Sequence, residues 1–178
     1  PRSRLFAEPI FCESMSELAN SYLIPDATRL DDIKDRIATH GRFGEEPPFT
    51  TTKIFFDNFE WSLYHAGASV EERQDGRRRV LAWCNLRKEE TDIEQPVEVE
   101  PGFVRDLPPR PVQERLAPVL GLRRLLPLVR VNTQVHTLRL LNDDEKTVAR
   151  LVMEENSYVD AERERQGPLA SRLRLLPV

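Results

Sequence analysis

With 178 residues, 39% of them hydrophobic and 31% charged, the chain has the size and composition of one large globular domain with a real core. Its net charge of −4 argues against general or sequence-specific nucleic-acid binding, which needs a basic surface to neutralise phosphates. No apolar run approaches the ~20 residues of a membrane-spanning helix, and Pro1-Arg2-Ser3-Arg4-Leu5 opens no secretory-type apolar segment.

Cys12 and Cys84 lie far apart without metal-ligand spacing and read as free thiols, so a cytoplasmic location is expected. His40, His65 and His136 are equally scattered, and no zinc site is expected. Charge is uneven: residues 13–100 are acidic, and many of the arginines gather in residues 105–178. Arginine forks suit phosphate and carboxylate, although a coding bias toward arginine gives the same excess.

In chain order, the first element is an extended stretch ending at Ser21-Tyr22-Leu23-Ile24-Pro25. A helix follows, with Thr28 as N-cap, Asp31 three residues on, and Leu30, Ile33, Ile37 and Ala38 on one face. Gly41 supplies its stop, and residues 42–48 read as a polar loop rich in glycine and proline. Thr50 to Asp57, β-branched and aromatic, reads as a strand. Phe59 to Ala66 reads as a short helical turn capped by Asp57, with Phe55, Phe56, Trp61 and Leu63 in the core.

Asp75-Gly76 predicts a hairpin between Val70 to Arg73 and Arg78 to Leu86. An acidic, then proline-containing excursion over 87–109 holds one short strand at Val97 to Glu100. Pro111 opens a second helix from Val112 to Leu120, which Gly121 closes. Leu128 to Leu141 alternates: Val129, Val131, Thr133, Val135 and Thr137 point one way, Arg130, Asn132, Gln134 and His136 the other. Asn142-Asp143-Asp144 turns it into a return strand, Thr147 to Glu154, and Ser171 to Leu176 forms a last half-polar strand. Seven or so strands with two helices between them predict an α+β, mainly β domain that closes into a sandwich or a barrel. The polar face from Arg130 to His136 suits the wet interior of a barrel, and equally a solvent-facing sheet.

The segment Ile54-Phe55-Phe56-Asp57-Asn58-Phe59-Glu60-Trp61-Ser62-Leu63-Tyr64-His65-Ala66-Gly67 resembles the CYTH family pattern. That pattern is an aromatic pair, Asp-Thr, a short turn with a leucine, and a glycine leading to Leu-Arg-x-Arg. The stretch from Leu125 to Leu151, together with the order of elements, resembles the CYTH domains that precede CHAD helical domains. The likeness covers residues 17–178 as a single domain and leaves 1–16 as an N-terminal extension. It implies an antiparallel β-barrel of about eight strands with a few short helices, a tunnel that holds triphosphate with arginines and lysines. In active members glutamates there bind divalent metal, Mg or Mn.

Taken residue by residue, the family's Glu-x-Glu-x-Lys strand falls on Glu17, Ala19 and Ser21, and its Leu-Arg-x-Arg on Val70-Glu71-Glu72-Arg73. Arg73 keeps a cation, whereas Glu71 sets a carboxylate where triphosphate would lie, a large repulsion at low dielectric. The resemblance implies phosphate binding by Arg73 and Arg130, both facing the interior, with Arg172 and Arg174 on the last strand, and metal binding by Glu17 and Glu154. Inside a barrel, Arg73 and Arg130 could instead pair with Glu71 and Glu154.

Three functions follow. The first is a degenerate tunnel domain that binds phosphate or inorganic polyphosphate, or serves as a structural partner of a CHAD helical domain, with little catalysis. The second is a metal-dependent inorganic triphosphatase or class IV-type adenylate cyclase acting on a nucleoside triphosphate. The third is a partner-binding barrel with no phosphate role.

Overall fold

Runs of β-branched and aromatic residues, broken by turns and short helices, drive most of the described residues into extended structure. The computed structural model describes residues 21–25, 28–76, 78–86, 90–98, 100–160 and 165–178. They contain β1 (Ser21–Ile24), β2 (Arg42–Glu45), β3 (Phe49–Asp57), β4 (Ala68–Asp75), β5 (Arg78–Asn85), β6 (Glu90–Pro96), β7 (Leu126–Leu141), β8 (Thr147–Asp160) and β9 (Gln166–Pro177). Helices α1 (Leu30–Ala38), α2 (Ser62–His65) and α3 (Pro111–Leu120) and a 3-10 turn, Val104–Asp106, lie between them. Glu17, Ala19 and Cys12 lie outside the described residues.

All nine strands join one antiparallel sheet in the order β1-β9-β8-β7-β3-β4-β5-β6, with β2 continuing along β7 where β3 has not yet begun. This is the expected mainly β, antiparallel architecture with a few short helices. Among the described residues β1 and β6 end the hydrogen-bonded path without pairing to each other, so the ladder is not closed.

Three local expectations are corrected. Residues 42–45 form β2 rather than loop, paired with Leu138 to Leu141 of β7, and a Cβ on Gly44 would press on the end of the Arg139 side chain, 3.0 Å away at Nη2. The strand of the acidic excursion is Glu90–Pro96, not Val97 to Glu100: Pro96, lacking an N–H, ends the ladder, and Val97 turns into the core. Helix α1 is capped by Arg29, whose N–H bonds Asp32 Oδ2 at 2.8 Å, while the Thr28 N–H closes a turn on the Pro25 carbonyl at 2.9 Å.

The core fills one face of β3 to β6. Ile54, Phe56, Val70, Leu81 and Trp83 pack there against Leu63 of α2 and Val112, Leu116 and Leu120 of α3. Two polar groups, Glu72 and Gln95, are buried with them; Glu72 is matched, whereas Gln95 is matched only at its oxygen and its Nε2 has no hydrogen-bond partner among the described residues. Glu72 accepts both Arg79 Nε and Nη2, at 2.8 and 2.9 Å, and Gln95 Oε1 accepts the Val112 N–H at 3.2 Å, at the start of α3.

Asp57 is the hinge between β3 and α2. Its Oδ1 accepts the N–H groups of Asn58 (2.8 Å) and Leu63 (3.0 Å), and its Oδ2 that of Tyr64 (3.0 Å). Asn58 Oδ1 takes those of Glu60 and Ser62. The turn forces Trp61 to φ 57°, a left-handed conformation that leaves its ring 51% exposed, so Trp61 is not a core residue as expected. Because Asp57 is 3% exposed, Asp57→Ala strands buried donors and is expected to cost about 2–3 kcal/mol in unfolding free energy. Urea denaturation checks this; a loss under about 0.5 kcal/mol would refute the capping role.

Candidate functional site

Residues directly opposite across an antiparallel ladder share a face, so the register sorts the charged side chains. Arg73 on β4 lies across from Lys53 on β3 and Val80 on β5, and Lys53 lies across from Val131 on β7. Glu71 is opposite Phe55 and Ala82, and Ala82 is opposite Glu94 on β6. Along β7 the same face carries Thr133, Val135, Thr137 and Arg139, then Asn156, Glu154, Val152 and Arg150 on β8. On β9 it carries Arg172 and Arg174, and on β1 Leu23 and Ser21.

The contacts agree with this sorting. Arg73 binds Glu71 and Glu94, Thr133 Oγ1 binds Asn156 Oδ1 at 2.7 Å, and Arg174 Nη2 meets Glu154 Oε1 at 2.5 Å. Helices α2 and α3 pack on the opposite face with the core. Even so, Glu71, Arg73, Thr133, Val135, Val152 and Arg174 are all buried. A sheet of this size curled about its charged face gives such burial.

Arg130 is the correction. It lies opposite Ile54, a core-face residue, and is exposed on the other side of the sheet from Arg73. The expectation that both face the interior is therefore not met, and the polar run from Arg130 to His136 is not the charged interior. The physical reason is parity. The Val129–Thr137 side of β7, apolar in sequence, is the side that joins the charges of β3, β4, β8 and β9.

The face has two parts. In the β4–β6 part, Arg73 is 7% exposed and its guanidinium is shared by Glu71 and by Glu94, whose Oε1 is 2.6 Å from Nη1, with Cys84 Sγ 3.6 Å from Nη2. Burial opposes the charge of Arg73, but Glu71 above all, then Cys84 and Glu94, outweigh it and hold its pKa above the ordinary arginine value. Toward the Leu141 end of β7, Arg139 and Arg150 stand directly opposite each other and share Glu46, at 3.8 and 3.5 Å. Arg174 and Glu154 pair beside Arg172. Lys53 and Arg172 have no ion-pair partner among the described residues, and they are the cations best placed for a ligand.

Sequence reasoning missed Lys53, Glu94, Arg139 and Arg150. Alternation on Leu128 to Leu141 extended by one step would have added Arg139, but Lys53 and Glu94 emerge only from the register. As for metal, no three His, Cys, Asp or Glu side chains group as ligands among the described residues. Glu71, Glu94 and Glu154 are each already neutralised by an arginine. The described donors therefore do not fit a Mg or Mn centre, which needs unengaged oxygen ligands.

No helix among the described residues is long and apolar enough to cross a membrane. No family model matches the sequence, and neither does any curated protein. Solved structures do. HpAC1 from Hippeastrum, named as an adenylyl cyclase with a dominant triphosphatase activity, is 11% identical with a TM-score of 0.49 over 87% of this chain and 76% of its own. A crystal structure from Bacillus halodurans, of a protein named as an adenylate cyclase, is 10% identical and superposes with a TM-score of 0.54. That match covers 89% of this chain and 78% of the other, and it shows that the two share a fold.

Proposed function

We propose that the chain is a CYTH-type tunnel domain of the cytoplasm whose charged face binds phosphate or polyphosphate with little catalysis. What carries this reading is the register. It gathers Lys53, Arg139, Arg150, Arg172 and Arg174 on one face, where, toward the Leu141 end of β7, Arg139 and Arg150 share Glu46 and Arg172 has no ion-pair partner among the described residues. Holding a polyanion needs cations but no placed metal. Tripolyphosphate, longer inorganic polyphosphate and nucleoside triphosphates are the ligand candidates, and a CHAD-type helical domain is the partner candidate. The Bacillus halodurans protein of like fold, named for a reaction of a nucleoside triphosphate, supports the ligand class.

The test is calorimetric titration with tripolyphosphate and long-chain polyphosphate in the absence of divalent metal. Binding is expected to weaken at least tenfold in Lys53→Gln/Arg172→Gln, about 1.4 kcal/mol or more, and to be unchanged in Arg130→Gln. No wild-type binding, or equal loss in Arg130→Gln, would overturn the site. A second reading, a partner-binding barrel, is favoured by Phe59, Trp61, Tyr64 and Leu122, exposed at 87, 51, 64 and 88%. Arg123 links their two loops by reaching Glu60 at 2.9 Å. Trp, Tyr and Arg are the residues that most often anchor protein interfaces.

A further inference from the structure

We infer that Glu71 and Glu94 are built-in carboxylate occupants of the Arg73 fork. They close the β4–β6 part of the charged face to phosphate and confine anions to the cations of β3 and β7–β9. The inference deepens the phosphate-binding reading above and rests on it.

A guanidinium presents its N–H donors in a rigid fork that fits the oxygens of a carboxylate or a phosphate equally well. At Arg73 that fork is filled from within. Nε and Nη2 are turned to Glu71 Oε1, and Nη1 donates to Glu94 Oε1 at 2.6 Å. Two protein carboxylates thus stand where phosphate oxygens would lie. The arrangement is built rather than incidental. Glu71 is two residues before Arg73 on β4 and therefore on the same face, and Glu94 reaches over from β6 across Ala82, whose small side chain leaves the way open. Cys84 Sγ lies 3.7 Å from Glu71 Oε1 and 3.6 Å from Arg73 Nη2, closing the cluster on the β5 side.

An incoming phosphate could take Arg73 only by displacing these carboxylates. Glu71 is 5% exposed and has no solvent to turn to, so it would stay buried next to a second anion. Breaking a buried pair from one side leaves an uncompensated charge, the costliest outcome available. Arg73 consequently neutralises its neighbours, while Lys53 across the ladder and Arg172 keep their charge for a ligand. Glu71 is then the specificity-determining residue. The ligand class this selects is a short or terminal phosphate held by the cations of β3 and β7–β9, not a chain lying along both parts of the face.

The test titrates tripolyphosphate into wild type, Glu94→Gln and Glu71→Gln/Glu94→Gln. The double variant is expected to bind at least tenfold more tightly, and adding Arg73→Gln should abolish that gain. Glu94 is the partly exposed member, at 28%, so Glu94→Gln serves if the double variant does not fold. It should show a smaller gain that again requires Arg73. Unchanged affinity in Glu94→Gln and in the double variant, or a gain that survives Arg73→Gln, would overturn the inference. The phosphate-binding reading fails separately, if wild type does not bind tripolyphosphate through Lys53 and Arg172. An Arg73-dependent gain in that case would still establish that the two glutamates block the fork.

Discussion

Truncating Phe56 to alanine is expected to lower the unfolding free energy by about 3–5 kcal/mol, the usual cost of deleting a buried phenylalanine. Phe56 is 2% exposed, lies opposite Val70 on β4, and belongs to the cluster that Leu63 of α2 and Leu116 and Leu120 of α3 complete. The site has little freedom to collapse. On one side the ladder with β7 is already irregular between Phe55 and Phe56, and on the other Asp57 is committed to the first turn of α2. A cavity there faces three elements at once. For a domain of this size each kcal/mol moves the melting temperature by roughly 2–4 °C, so a drop of roughly 10 °C is expected. Differential scanning calorimetry checks it, with Phe55→Ala as the comparison, because Phe55 is only half-buried on the charged face. An unchanged melting temperature in Phe56→Ala would mean that β3 does not seat the core.

Which parts of this molecule the sequence discloses follows from how local the signals are. The hairpin turn at Asp75-Gly76, Pro111 at the head of α3 and the long alternation into β7 are set by neighbours within a few residues, and they stand in the structure. Asp57 is legible for the same reason, since its partners lie within seven residues. Strands β2 and β6 are hidden because their residues are poor strand formers. Arg42-Phe43-Gly44-Glu45 owes its form to the β7 edge, and the Glu90–Pro96 strand to Gln95 and Ile93 meeting Leu81 and Trp83.

The site is harder to read than the fold because a face is a property of pairing. Alternation along β7 divides its residues correctly into two sets, but it does not say which set meets Arg73. Polarity suggested the set of Arg130, whereas the ladder Arg73–Lys53–Val131 chooses the set of Val131. A one-residue change of register would exchange the two. Conversely, the pairing of Arg73 with Glu71 was accessible from sequence, since the residues two apart on a strand must share a face. Its second carboxylate, Glu94, was not, because it arrives from a strand 21 residues on, two ladders away.

Turnover of tripolyphosphate to phosphate, and of ATP to cyclic AMP, is expected to stay at background with magnesium or manganese. Set on the resembled Glu-x-Glu-x-Lys strand, Ser21 lies opposite Arg174 and so faces the charged interior with a hydroxyl where the family has an ammonium. Ala19, two residues earlier in sequence, cannot supply a metal ligand at all. Glu71 reverses a third charge and, together with Glu94, takes up Arg73. Glu154, the other acidic candidate, is already paired with Arg174 at 2.5 Å. Removing one electrostatic stabiliser of a transition state typically slows the reaction by roughly 10² to 10³. Coupled losses do not multiply, but a single factor of that size is enough to make a poor enzyme. The deciding experiment is phosphate release and cyclic AMP formation by wild type and Glu17→Gln, each with both metals. Turnover of about 1 s⁻¹ that Glu17→Gln abolishes would restore the metal-dependent triphosphatase or cyclase and end the degenerate reading. Background rates in both proteins, beside tripolyphosphate binding that needs Lys53 and Arg172, are the expected result: cations sufficient to hold a polyanion, with no machinery left to cleave it.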